Sequence, residues 1–253
     1  MLPYIQLGPF RLWTYGLMLA FGLWEGYYFF RNEVRRRKLP VNVDVLMLAI
    51  AIGGLAGAKL YHVIVTLLWT DHQPFRPGDL VGFGGLAWNG GLIAGFAILL
   101  WYAHDRRISP WSLLDAASPA AAVGYAFGRL GCFFAGDGDY GKPTNLPWGM
   151  SFPHGVVPTT QRVHPTPLYE LAGSLLLLFV LQRLAKRDLA PGTVFAVYLV
   201  GSGIFRFAVE FIRINPPFLF GLTEAQCISL LAVAFGSVLL VRPRKSALAV
   251  VAH

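Results

Sequence analysis

Seven apolar stretches, each close to the length that crosses a lipid bilayer, constrain this chain more than any other feature. They run over about 13–31, 44–69, 86–103, 111–134, 167–184, 192–211 and 223–241. A hydrocarbon core takes roughly 20 apolar residues in helical form. Backbone groups in lipid must be satisfied within the structure, and the sequence has no ten-residue alternation of the kind a barrel needs, so helices are expected. Prolines such as Pro40, Pro74, Pro110, Pro165, Pro191 and Pro216 fall between the stretches and support the boundaries. The expectation is an all-α integral membrane protein of about seven transmembrane helices. It would form a single polytopic domain over 1–253, with an extracytoplasmic loop at 135–166 between spans four and five. Composition agrees: 55% of residues are hydrophobic and 13% charged, about half the charged share of a soluble domain.

The net charge of +8 is explained by where the charges sit. One set of connections holds Arg31, Arg35, Arg36, Arg37, Lys38, Arg106, Arg107, Arg183, Lys186, Arg187, Arg242, Arg244 and Lys245, thirteen in all. The alternate connections hold five: Arg11, Arg76, Lys142, Arg162 and Arg213. The richer side is expected to be cytoplasmic, with the N-terminus outside and the C-terminus inside. No folded basic face is left over for nucleic acid. The N-terminus lacks a basic n-region and a cleavage site, so its first apolar run is expected to stay as a span. Cys132 and Cys227 form neither a disulfide framework nor a metal-binding spacing. Neither a metal nor a cofactor is expected.

Charges also lie within the spans: Lys59, Arg129 and Arg206, with Glu25, Asp115, Glu170 and Glu210. A charge at the bilayer centre costs at least ~2.5–3.5 kcal/mol, so such residues face a cavity or a partner. Counting along the helices puts Lys59, Arg129, Glu170 and Arg206 toward the outer leaflet. Two readings compete. Arg206, Glu210 and Arg213 can pair along one helix face, with Arg129 and Lys59 snorkelling to the headgroups. Alternatively, three cations at similar depth on three helices suit an anionic ligand such as a lipid phosphate.

Local patterns sharpen the second reading. Span one opens with Trp13-Thr14-Tyr15-Gly16, and span three holds Trp88-Asn89-Gly90-Gly91-Leu92. Span four ends in Gly128-Arg129-Leu130-Gly131-Cys132 and continues into Gly136-Asp137-Gly138-Asp139-Tyr140-Gly141. His164-Pro165-Thr166-Pro167-Leu168-Tyr169-Glu170 opens span five, and Phe205-Arg206 to Glu210 and Arg213 closes span six. Together, and in this order, they resemble the prolipoprotein diacylglyceryl transferases of the bacterial inner (cytoplasmic) membrane. The resemblance implies transfer of the diacylglyceryl group of phosphatidylglycerol to the lipobox Cys thiol in a prolipoprotein signal peptide. The product is a thioether, and glycerol phosphate leaves. The partners implied are therefore phosphatidylglycerol, the lipobox peptide and membrane lipids.

By that resemblance Arg129 and Arg206 are the functional arginines, stabilising charge on the departing phosphate. Gly128 and Gly131 would let a headgroup or a neighbouring helix approach the backbone. Lys59 and Glu170 would line the lipid site, and Glu210 would orient Arg206 or Arg213. Tyr15 and Tyr169 either donate to the phosphate or belong to an interfacial aromatic belt. Asp137, Asp139 and Tyr140 either shape the peptide entrance or belong to a solvated loop.

The chain also departs from the family pattern. Asn89 occupies a catalytic position where a His usually precedes Gly-Gly-Leu, and Asn cannot take a proton near neutral pH. Cys132 replaces an Asn, Ser202 a Tyr and Lys59 an Arg. His164 is the nearest remaining base, with a structural role in the turn into span five as its alternative. Cys132 is either a nucleophile beside Arg129 or an inert buried thiol. These departures motivate a second reading, a non-catalytic paralogue that binds lipid or lipoprotein. A transporter is the third, although the sequence carries no visible inverted repeat.

Overall fold

The computed structural model describes residues 2–69 and 87–242. Pro74, Arg76, Arg244, Lys245 and residue 86 at the start of the third expected span lie outside those residues. The described residues form seven helices: α1 (Thr14–Arg36), α2 (Val43–Trp69), α3 (Trp88–Asp105), α4 (Pro110–Ala135), α5 (Thr166–Ala185), α6 (Thr193–Glu210) and α7 (Glu224–Val241). Each coincides with one of the apolar stretches. Among the described residues, four segments are long and apolar enough to cross a membrane: Val43–Thr66 within α2, and all of α5, α6 and α7.

The connections are less plain than an all-α expectation allows. Strands β1 (Tyr4–Leu7) and β2 (Phe10–Trp13) form an antiparallel hairpin ahead of α1. Strands β3 (Met150–Phe152) and β4 (Thr159–Val163) form a second, bulged hairpin between α4 and α5. Outside the helices the backbone still needs hydrogen-bond partners, and short hairpins supply them.

The chain divides into two compact units, Met1–Glu33 with Leu114–His253, and Val34–Leu113. In the second unit, α2 and α3 approach closely at small residues. A Cβ on Gly57 would lie 2.7 Å from the Gly90 carbonyl oxygen, and the Ala87 amide donates to Ala58 O at 3.1 Å. Only residues without bulk permit backbones to meet this way. Lys59 and Asn89 stand on α2 and α3 of this unit.

The first unit packs Ala122 and Val123 of α4 against Leu178, Leu181 and Ala185 of α5 and Val194 of α6. Helix α1 meets α4 where Gly22 faces Phe127. Asp115, one of the charges inside a span, caps another helix. Its two oxygens accept from the Gly192 and Phe195 amides at 2.8 Å each, satisfying orphan donors at the start of α6. Helix α7 begins with a reciprocal capping box between Thr223 and Gln226.

Burial runs opposite to that of a water-soluble fold. Leu176 and Leu231 are 66% and 71% exposed, whereas Asp115, Glu170 and Glu210 are all buried. Apolar side chains facing outward and charges facing inward suit a hydrocarbon surround.

Candidate active site

The buried charges of the first unit converge at one end of α4, α5 and α6. Glu170, in the first turn of α5, is their centre, and its side chain has no exposed surface. Its Oε1 accepts from the Tyr125 hydroxyl at 2.6 Å and from Arg206 Nη1 at 2.9 Å. Its Oε2 accepts from Arg213 Nη1 at 3.2 Å and lies 3.4 Å from Arg129 Nε. One carboxylate therefore serves three guanidiniums and a phenol.

Two further carboxylates complete the balance. Asp139 takes Arg213 Nη2 on Oδ1 at 2.6 Å and Arg129 Nη1 on Oδ2. Glu210 Oε2 lies 3.0 Å from Arg206 Nη1 and 3.6 Å from Arg213 Nε, and its Oε1 accepts from Asn215 Nδ2. Three positive and three negative groups thus share one partly dry volume. Removing one partner from such a set costs about 3–5 kcal/mol, because a buried charge is left uncompensated.

The arginines differ in what remains available. Arg213 is nearly buried, with all three of its nitrogens facing acceptors. Arg129 and Arg206 are partly open, their side chains 16% and 23% exposed. Among the described residues no hydrogen bond engages Nη2 of Arg129, or Nε and Nη2 of Arg206. Those donors are fixed in direction by carboxylates behind them, an arrangement fit to receive an anion. Arg129 is also steadied by the Tyr125 ring, whose centroid lies 4.8 Å from its guanidinium carbon.

The segment after α4 is tied into the same cluster. The Asp139 carbonyl accepts from Thr166 Oγ1 at 2.5 Å and Arg213 Nη1 at 3.1 Å. The Gly141 amide donates to His164 O, and the Lys142 amide to Ile212 O. Backbone pairing thus links Ile212 and Arg213, residues 141–144 and the end of β4 side by side. Burial opposes ionisation of Asp139, but Arg213 and Arg129 outweigh it and hold its carboxyl below the ordinary value. Burial also works against the Arg213 cation, yet Asp139 and Glu170 outweigh it and raise its pKa. The Cys132 thiol, an Asp137 oxygen and an Asp139 oxygen lie within 4.8 Å of one another. Both Asp139 oxygens are already on guanidiniums, so the charge balance there disfavours a cation.

The structure brings together Arg129, Arg206, Glu170, Glu210 and Asp139 of the residues expected from sequence. The Arg206–Glu210–Arg213 pairing along the chain is present as well, so the two readings of these charges describe one cluster. Gly131 packs against α1, where a Cβ would come 3.1 Å from Tyr15 Cδ2, whereas a Cβ on Gly128 would meet nothing within 4 Å. His164 Nδ1 is 3.3 Å from the Tyr169 hydroxyl, which accepts from Trp148 Nε1 at 2.8 Å. No hydrogen bond or ion pair among the described residues joins that group to the arginines. Ser202 donates to Tyr198 O within its own helix. Tyr125, Asn215 and Trp148 were not singled out from sequence, and Arg213 was read only as a partner for Glu210.

The family model for prolipoprotein diacylglyceryl transferase matches residues 3–242. The chain is 35% identical to the phosphatidylglycerol–prolipoprotein diacylglyceryl transferase of Methylococcus capsulatus, over 93% of this chain and 92% of that protein. It is 33% identical to the protein of that name from Synechococcus elongatus, over 92% of this chain and 83% of the relative. For the Geobacter sulfurreducens protein the identity is 35%, over 83% and 81%. The match extends across the helices as well as the charged cluster, and this multi-pass membrane protein belongs to the prolipoprotein diacylglyceryl transferase family.

Proposed function

We propose that the chain transfers the diacylglyceryl group of phosphatidylglycerol to the lipobox cysteine of a prolipoprotein. The observation that carries this reading is the pair Arg129 and Arg206, held by Glu170 yet with outward donors uncommitted. The lipid phosphate would dock on those donors. As the peptide sulfur attacks the glyceryl carbon, the C–O bond breaks and its electron pair goes to the phosphate oxygen. Negative charge then grows where the guanidiniums already point, which is the condition for preferential stabilisation of the transition state. Glu170, Glu210 and Asp139 act behind the arginines, fixing their planes so that little reorganisation is needed during reaction.

The same reading includes seven spans in one polytopic domain of the bacterial inner membrane. The N-terminus and the 135–166 loop lie outside and the C-terminus is cytoplasmic, as the basic-residue pattern supports. Purified protein given phosphatidylglycerol and a lipobox peptide is expected to release glycerol phosphate, and Arg129→Ala or Arg206→Ala to abolish release. Full activity in both variants would contradict the role given to the arginines.

Asn89 favours a second reading, a family member that binds lipid or lipoprotein without turnover, because an amide cannot accept the thiol proton. Activity gained only in Asn89→His would support that reading over the first.

A further inference from the structure

Transfer to a thiol needs a proton acceptor, and Asn89 cannot serve. Among the described residues, four carboxylates lie in or beside the cluster. Glu170, Glu210 and Asp139 are each held by arginine, which commits them to charge balance. Asp137 forms no ion pair among the described residues. Its Oδ1 accepts from the Asp139 amide at 3.3 Å, and it is only half-buried. It is presented between two glycines in the left-handed region, Gly136 (φ 60°) and Gly138 (φ 94°). Val157 packs over Gly138, and Gly155 packs over Gly136. A turn of that kind holds one side chain in a defined direction. A thiol already stands beside this carboxylate: Cys132 Sγ of α4 and an Asp137 oxygen lie within 4.8 Å of one another.

Resting on the transferase reading above, we infer that Asp137 is the general base that takes the proton from the incoming lipobox thiol. The S–H proton passes to the Asp137 carboxylate, and the sulfur electron pair forms the C–S bond to the glyceryl CH₂. The C–O bond to phosphate breaks, and its pair leaves on glycerol phosphate beside Arg129 and Arg206. The proton on Asp137 is then lost to water, restoring the carboxylate. The charged and titratable groups facing Asp137 are Cys132, Asp139 and Arg129, with Tyr15 from α1. Burial is the main cause that raises its pKa above the ordinary aspartate value, bringing it closer to that of a thiol and making it a more effective base. Cys132 is a neighbour in this scheme and forms no bond to substrate.

The test measures glycerol phosphate release by the full-length protein in phosphatidylglycerol vesicles with a lipobox peptide. Wild type, Asp137→Asn and Asp137→Glu are compared between about pH 5 and 9. Asp137→Asn is expected to lose about 100-fold or more in kcat at neutral pH, with KM for the lipid little changed. Its residual rate should climb toward the thiol's own pKa of about 8.5, where the nucleophile ionises unaided. Asp137→Glu should recover part of the rate with a wild-type melting temperature. A near-wild-type kcat in Asp137→Asn would overturn the assignment. So would a pH profile parallel to wild type, or an inactive but normally folded Asp137→Glu. Absence of release by the wild type would overturn the transferase reading itself.

Discussion

The hydroxyl of Tyr125 donates a 2.6 Å hydrogen bond to Glu170 Oε1, while the same ring lies under the Arg129 guanidinium. One side chain therefore steadies both an anion and a cation of the cluster. Two substitutions separate these roles. Tyr125→Phe keeps the ring and loses the bond to a charged acceptor, which costs about 1.5–3 kcal/mol. Tyr125→Leu loses the cation–π contact as well, about 0.5–2 kcal/mol more. Thermal unfolding in detergent should rank wild type above Phe and Phe above Leu. Equal melting temperatures for Phe and Leu would remove the ring's contribution.

Glu170→Gln keeps the volume and removes the charge shared by Arg129, Arg206 and Arg213. Three guanidiniums would then face two carboxylates. The expected loss is about 3–5 kcal/mol of stability, accompanied by loss of activity. Denaturant unfolding checks the first and phosphate release the second.

Asp139 makes a pH prediction with a definite sign. Its folded pKa lies below its unfolded value because Arg213 and Arg129 outweigh burial. The stabilisation is therefore complete above the unfolded pKa of about 3.9 and is lost as pH falls toward the folded value. Melting temperature should drop on acidification below about pH 4 more steeply in wild type than in Asp139→Asn. At neutral pH the Asn variant should already melt lower. Parallel acid profiles would contradict the assignment.

The two glycines of the Gly-Arg-Leu-Gly motif should behave differently. Gly131→Ala places a methyl 3.1 Å from Tyr15 Cδ2 and 3.3 Å from Met18 Cβ, so α1 must shift, at a cost of about 1–3 kcal/mol. Gly128→Ala meets nothing within 4 Å and should leave folding intact or gain up to about 1 kcal/mol of helix propensity. If the lipid headgroup uses that open face, Gly128→Ala raises KM for phosphatidylglycerol without lowering the melting temperature.

The helices were legible because a bilayer fixes both length and polarity, so an apolar run of the right size needs no further evidence. The hairpin ahead of α1 was not read, although Gly8-Pro9 at its tip is an ordinary turn signal; the apolar pattern outweighed it. Within the site, Arg129, Glu170, Arg206 and Glu210 stood out because charge inside a span is costly. Asp139 and Arg213 lie in connections, where charge is commonplace; the family resemblance pointed to Asp139, but only the fold pairs it with Arg129 and Arg213 and sets Arg213 against Glu170. Tyr125 reads as one more core aromatic, even though its i, i+4 spacing to Arg129 was visible. Asp115 was recognised as an anomaly, but its partners lie 77 and 80 residues away, beyond any local pattern.

The most direct measurement is the intact mass of a lipobox peptide after incubation with the purified protein and phosphatidylglycerol. The peptide is expected to gain one diacylglyceryl group through a thioether, with glycerol phosphate released in equal amount. A peptide whose lipobox cysteine is replaced by serine should gain nothing, and neither should any peptide given Arg129→Ala or Arg206→Ala protein. An unmodified peptide with the wild-type protein, or modification undiminished in either arginine variant, would contradict the transferase reading.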